Sequence, residues 1–191
     1  VLTTTTKMGR DRTGGHPVLF DPSDAELRDV LADTGAAMVW QADGGYKAIG
    51  VAPERCDEWF GLADHVVVEA DGAARHPFKA PRPFEPVVPS RTTTMVACIG
   101  ASALGRVIAD QCHRPLRVAA VAGCSPYERL TPERAARVLL DARGSRKGCP
   151  ADARFVVVVH RIEDADRAMA ADLVAAVGDG APVVGVADES T

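Results

Sequence analysis

The chain has 191 residues, 22 basic and 26 acidic side chains, and a formal net charge of −4. A length of that order suits one domain with a sizeable core, and 47% hydrophobic with 25% charged residues excludes a disordered or fibrous chain. The acidic balance lacks the basic footprint that bulk nucleic-acid binding needs, and 5% aromatics leave few platforms for stacking single strands, so no nucleic-acid partner is expected.

Along the chain, short apolar runs alternate with helix-like segments. The runs Val1–Thr6, Ala37–Ala42, Tyr46–Ala52, His65–Ala70, Thr94–Ile99, Phe155–His160 and Ala181–Ala187 predict strands. Several, such as Val66-Val67-Val68 and Val156 to Val159, are apolar throughout, as in parallel sheets covered by helices on both faces. Ser23-Asp24-Ala25-Glu26 fits a capping box, with Leu27, Val30 and Leu31 following on one helical face. Asp43-Gly44-Gly45 reads as a hairpin turn. From His76 to Pro89, prolines 77, 81, 83, 86 and 89 predict an irregular binding or lid loop. Thr131-Pro132-Glu133 opens a helix continued by Ala135, Val138 and Leu139. Glu163 to Val177 predicts another, with Gly178 as its stop. The expected class is α/β, one domain over 1–191, with a mostly parallel sheet, helices on both faces and one antiparallel hairpin.

The longest stretch without a charged side chain, Thr92 to Gly105, is too short for a membrane span, and no secretory pattern opens the chain. Five cysteines, Cys56, Cys98, Cys112, Cys124 and Cys149, show no Cys-x-x-Cys spacing. They fit reduced thiols in a cytoplasmic protein without a membrane partner; a zinc site at Cys112, His113 and Cys124 is the alternative use.

The chemistry concentrates where Val66-Val67-Val68 runs into Glu69-Ala70-Asp71-Gly72. Ligands of open α/β sheets sit beyond the carboxyl ends of strands. Glu69 and Asp71 share a side if the strand continues through both, and could then hold Mg²⁺ with phosphates completing its shell. Gly72 would admit a phosphate close to the backbone. Thr5, Thr6 and Lys7, ending the first run, can meet phosphate or metal-bound water, though threonine is also at home in strands. Arg75, Lys79, Arg114 and Lys147 add loop cations able to meet an anion or simply to keep the surface soluble. His113 is either a proton-transfer group or a structural histidine at a helix start. None of Lys7, Lys47, Lys79 and Lys147 is preceded by glycine, so no P-loop is present.

Taken in order, Thr3-Thr4-Thr5-Thr6-Lys7-Met8, Gly44-Gly45-x-Lys47, Val67-Val68-Glu69-Ala70-Asp71-Gly72-Ala73, Lys79-Ala80-Pro81 and Glu85-Pro86-Val87-Val88-Pro89 resemble the YqeC-type proteins. Ala103-Leu104-Gly105-Arg106, His113-Arg114-Pro115, Thr131-Pro132-Glu133 and Lys147-Gly148-x-Pro150 continue the resemblance over nearly the whole chain. That family is described as selenium-dependent hydroxylase accessory, or selenium cofactor biosynthesis, proteins. The resemblance implies a P-loop NTPase-like fold and a role in maturing selenium-dependent molybdenum hydroxylases. It implies Mg²⁺ and a nucleoside triphosphate, ATP or GTP, with Glu69 and Asp71 as the metal-associated, catalytic carboxylates. It implies Thr5, Thr6 and Lys7 facing the phosphates.

Two departures stand out. Family members begin with a strand and a glycine-rich phosphate loop ahead of the threonine run, whereas this sequence begins at that run. Truncation or loss would account for it, and the missing strand would expose a sheet edge open to a homodimer partner. Where guanine-reading GTPases carry Asn-Lys-x-Asp, this chain has His160-Arg161-Ile162-Glu163. An NTPase-type activity therefore stands beside a second expectation, a non-catalytic scaffold or chaperone for a molybdenum hydroxylase or its pterin cofactor.

Overall fold

The structure, a computed structural model, describes residues 1–187. Its contacts divide the chain into two compact units. The first comprises Val1–Gly72 with Glu85–Thr92; the second comprises Ala73–Phe84 and the chain from Thr93 onward.

In the first unit, β1 (Leu2–Thr4), β2 (Lys7–Gly9), β3 (Val18–Phe20), α1 (Asp24–Thr34), β4 (Met38–Trp40), β5 (Ala42–Gly44), β6 (Lys47–Ile49), α2 (Pro53–Trp59) and β7 (Val67–Glu69) follow one another. A parallel sheet has the order β3-β4-β1-β7, with Leu2 opposite both Met38 and Val67. The Ser23 hydroxyl accepts from the Glu26 amide at 3.3 Å to start α1, and Gly35, at φ 75°, ends it in the left-handed region.

Alternation along β4 decides the packing. Val39 joins Leu27 of α1 and Cys56 and Trp59 of α2 in one cluster. Met38 and Trp40 turn the other way and meet Ala48 of β6, with Met8 of β2 packed alongside. The second face of this sheet therefore packs on the small antiparallel sheet β2-β6-β5, where the sequence pattern suggested a helix. The predicted hairpin is its β5–β6 corner: Asp43 Oδ1 accepts from the Gly45 amide at 2.8 Å, and Gly45 takes φ 77°.

In the second unit, β8 (Phe78–Lys79), β9 (Thr94–Gly100), α3 (Ile108–Gln111), β10 (Cys112–His113), α4 (Pro115–Ala122), α5 (Pro132–Leu140), β11 (Arg154–Ile162), α6 (Arg167–Val177) and β12 (Val183–Ala187) follow. The parallel sheet β12-β11-β9 is accompanied by a short parallel pair, β10-β8. Thr131 caps α5 by accepting from the Arg134 amide, and the helix buries Ala135, Val138 and Leu139 as the spacing predicts. A 3₁₀ turn over Asp164–Asp166 precedes α6, which stops at Gly178. Helical side chains join Ala97, Ile99, Val157 and Val159 in one large cluster, while the alternate β9 residues Val96 and Cys98 are exposed.

Several elements differ from their predictions. Val1–Thr6 splits, because β1 stops at Thr4 and the chain turns before β2. The proline-rich stretch holds regular structure after all: Phe78 and Lys79 pair with Cys112 and His113 between flanking prolines. Two pairing residues need only the prolines to stand outside the ladder. No helix among the described residues is long and apolar enough to cross a membrane.

Candidate functional site

The carboxyl ends of β1 and β7 lie side by side, with Thr4 in register with Glu69. The fully buried Thr4 hydroxyl donates to the Glu69 carbonyl at 2.8 Å, and the Thr5 amide donates to the same oxygen at 3.2 Å. The Thr5 hydroxyl donates to the Val87 carbonyl at 2.6 Å, and the Val87 amide donates to Ala70 at 3.1 Å. The Thr4 and Thr6 hydroxyls are 3.1 Å apart. The threonine run thus stitches the ends of β1 and β7 to the returning segment Glu85–Thr92.

Glu69 closes its strand and Asp71 lies in the bend that follows, both half-buried. The strand that would align the carboxylates ends at Glu69, two residues before Asp71, so the bend sets the aspartate's direction. A Cβ on Gly72 would come 3.2 Å from Glu69 Oε1, so the glycine leaves room for that carboxylate to fold over the turn. A hard-oxygen donor set at a strand's carboxyl end fits Mg²⁺ in chemistry, with water or ligand oxygens supplying the remaining positions. Among the described residues, no group of three or more His, Cys, Asp or Glu side chains is placed to hold a metal by itself, and that includes Cys112, His113 and Cys124.

Gly50 carries a signal that the sequence reading passes over. Its amide donates to the Thr6 carbonyl at 2.7 Å, and the Val51 amide donates to Thr4 at 2.9 Å. A Cβ at position 50 would lie 2.4 Å from the Thr4 carbonyl oxygen and 2.5 Å from that of Thr6. Only glycine lets the chain cross so near the β1 end. Asp57 is the second omission. Its carboxylate accepts from the Ser90 hydroxyl at 2.7 Å and from the Ser90 and Arg91 amides at 3.1 and 2.9 Å. Burial acts to raise its pKa, but these donors from Ser90 and Arg91 hold it below the ordinary aspartate value. Arg91 also stacks over Phe60, 4.7 Å from the ring centre. An aspartate inside a helix gives no local sign that it anchors a segment more than thirty residues away.

The expected loop cations, Arg75, Lys79, Arg114 and Lys147, belong to the second unit. Lys79, 8% exposed, sits on β8 in register with His113 of β10. His113 stacks on His76 with ring centres 5.7 Å apart, and a His76 ring nitrogen lies 3.2 Å from the Gln111 carbonyl. Arg114, half-buried, takes φ 59° at the start of α4, and exposed Arg75 takes φ 66°. The Lys147 ammonium donates to the Arg82 carbonyl at 2.7 Å and also to that of Pro83, clasping the proline-rich loop. The predicted site residues therefore divide: Thr5, Thr6, Lys7, Glu69, Asp71 and Gly72 belong to one unit, and Arg75, Lys79, Arg114 and Lys147 to the other.

Fold and strand-end chemistry define an α/β protein of parallel-sheet type whose carboxylates leave a strand where such proteins meet their ligands. Sequence comparison supplies the family. A profile described as "YqeC protein" matches residues 1–116, from β1 into α4. The chain belongs to the YqeC family. It is 28% identical over 176 residues to the Escherichia coli K12 protein titled "Uncharacterized protein YqeC", a match covering 89% of this chain and 68% of that one. No solved structure matches the chain.

Proposed function

We propose that the protein is an accessory, maturation factor for selenium-dependent molybdenum hydroxylases, built on a P-loop NTPase-like nucleotide-binding fold. The observation that carries this reading is the β1–β7 strand end, where Glu69 closes a parallel strand locked to the threonine run and Asp71 and Gly72 follow it. Glu69 and Asp71 are the residues to hold Mg²⁺. Held there, the ion would supply positive charge to neutralise the phosphates of ATP or GTP. Lys7 and the backbone at Thr5, Thr6 and Gly72 would meet phosphate, with Gly72 leaving space for close approach. In the second unit, Arg75, Lys79, Arg114 and Lys147 would provide charge for an anionic ligand. The reading places the protein in the cytoplasm, beside its client enzyme.

Calorimetry on the full-length protein tests it. Mg-ATP or Mg-GTP is expected to bind, and Asp71→Asn is expected to weaken the magnesium-dependent part about tenfold, or 1.4 kcal/mol. Absence of magnesium-dependent binding of either nucleotide would reject the nucleotide role.

A second reading draws on a different observation. The Thr4 and Thr5 hydroxyls and the Lys147 ammonium are directed to backbone carbonyls within their own units, as in a rigid scaffold. Under it the protein holds a molybdenum hydroxylase or its pterin cofactor without turnover. Full metal and selenium loading of the hydroxylase in cells lacking this protein would count against both readings.

A further inference from the structure

The chain passes from the second unit into the first at Glu85 and back again after Thr92. Both backbone groups of Val87, within that segment, are spent at the candidate site. The Val87 carbonyl accepts from the Thr5 hydroxyl at 2.6 Å, just past the end of β1. The Val87 amide donates to the Ala70 carbonyl at 3.1 Å, just past the end of β7. One residue therefore spans the two neighbouring strand ends, where ligands of parallel sheets sit. A hydroxyl has a single proton to donate. While the Val87 carbonyl holds that of Thr5, no phosphate oxygen can take it.

Polar contacts hold the segment more than packing does. Val87 and Val88 are half-buried and join neither apolar cluster of their unit. Beside Pro89 and Arg91 lies a cavity of about 40 Å³, lined also by Cys56, Phe60, Val66 and Val68. Atoms facing a void forfeit their dispersion contacts. The firm grip is at the far end. There the Asp57 carboxylate accepts three hydrogen bonds, from the Ser90 hydroxyl and from the amides of Ser90 and Arg91. The Arg91 guanidinium also donates to the Asp57 carbonyl at 3.0 Å. Hydrogen bonds to an ionised acceptor are the strong kind, so one side chain anchors the segment.

We propose that Glu85–Thr92 is a built-in plug of the candidate phosphate site, with Val87 in the place of a phosphate group and Asp57 as the latch that keeps it there. This regulation rests on the nucleotide reading given above. When the plug opens, the Thr5 hydroxyl turns from the Val87 carbonyl to the ligand, and the Ala70 carbonyl between Glu69 and Asp71 is uncovered. The displaced segment stays tethered, because both its ends continue into the second unit, so it returns whenever the ligand leaves. The apparent affinity for ligand then scales with the fraction of molecules whose plug is open.

Calorimetry with Mg-ATP and with Mg-GTP on the full-length protein, paired with trypsin cleavage after Arg91, tests the plug. Asp57→Ala is expected to bind nucleotide about tenfold more tightly than the unaltered chain, because its open fraction is larger. Ser90→Ala, which removes one donor and leaves the backbone as it is, is expected to tighten binding about threefold. Nucleotide is expected to speed cleavage after Arg91 in the unaltered chain, the reverse of the protection a ligand gives to a segment it packs against. Asp57→Ala is expected to be cleaved fast without nucleotide. Thr5→Val is expected to speed the cleavage without tightening binding, since plug and phosphate lose the same donor. Magnesium-dependent binding that Asp57→Ala leaves unchanged or weakens, nucleotide that protects Arg91, or tighter binding by Thr5→Val would overturn the plug and leave the nucleotide reading standing. Absence of magnesium-dependent binding in every variant would remove both.

Discussion

The two units reach order by different routes. In the first, the parallel sheet is built from three-residue strands, and cross-links hold them: Thr3 to Val39 at 2.7 Å, Thr4 to Glu69, Thr5 to Val87, and Asp57 to Ser90 and Arg91. In the second, β9 and β11 run for seven and nine residues, and one large apolar cluster holds them under four helices. Short strands make few ladder bonds, so side-chain hydroxyls and a carboxylate complete the connection. Long apolar strands need no such help. The cross-linked unit also contains the carboxylate strand end. Polar cross-links tolerate irregular backbone, and irregular backbone is where a ligand can be met.

Substitutions that act on one unit only would sharpen this contrast. The largest effect is expected from Leu139→Ala in the second unit, where a fully buried side chain leaves a cavity. The cost is about 3 kcal/mol by urea denaturation, with amide exchange rising around α5 and β11. Gly50→Ala follows, at about 2–3 kcal/mol, because the added carbon meets backbone oxygens that cannot turn away. Its exchange signature should appear in β1, β2 and β6. Equal loss of protection in both units for either variant would break the contrast.

Smaller effects should come from the cross-links themselves. Thr4→Val keeps the shape and removes a buried donor, at about 1–2 kcal/mol. Asp57→Ala should release Glu85–Thr92, read as faster limited proteolysis there with little change in melting. Acid should imitate that variant. The folded Asp57 carboxyl titrates below its ordinary range, so its contribution is complete above about pH 4. It disappears as pH falls through the folded value, and protease sensitivity of the segment should rise over that interval.

Alkali gives the smallest predicted effect, in the second unit. Burial pushes the Cys112 thiol up to about 12. Its contribution is therefore intact below about pH 8.5 and declines as pH rises toward the folded value. A thiol reagent at neutral pH should modify Cys112 far more slowly than exposed Cys98.

Elements with local signals were legible in sequence. Ser23 and Thr131 start helices because their hydroxyls cap the backbone three residues on, and Gly45 turns a hairpin because glycine accepts positive φ. β2, β3, β8 and β10 were not, because two or three residues are too few to show a period. Helix α2 was also unread, and of α4 only a start near His113 was suggested. Both start at a proline, Pro53 and Pro115, but without a side-chain hydroxyl cap ahead of it. The acidic end of Val67-Val68-Glu69 was plain from composition. That Thr4 would grip the Glu69 carbonyl was not, since the two residues lie sixty-five positions apart in the chain.

By itself the sequence determined the alternation of parallel strands and helices, the strand that ends in Glu69, and the family, because these rest on periodicity, capping and ordered motifs within short windows. The tertiary structure decided what covers each sheet face, where the threonine hydroxyls point and which residues divide between the two units. Those outcomes depend on contacts between distant segments, which no local pattern of residues contains.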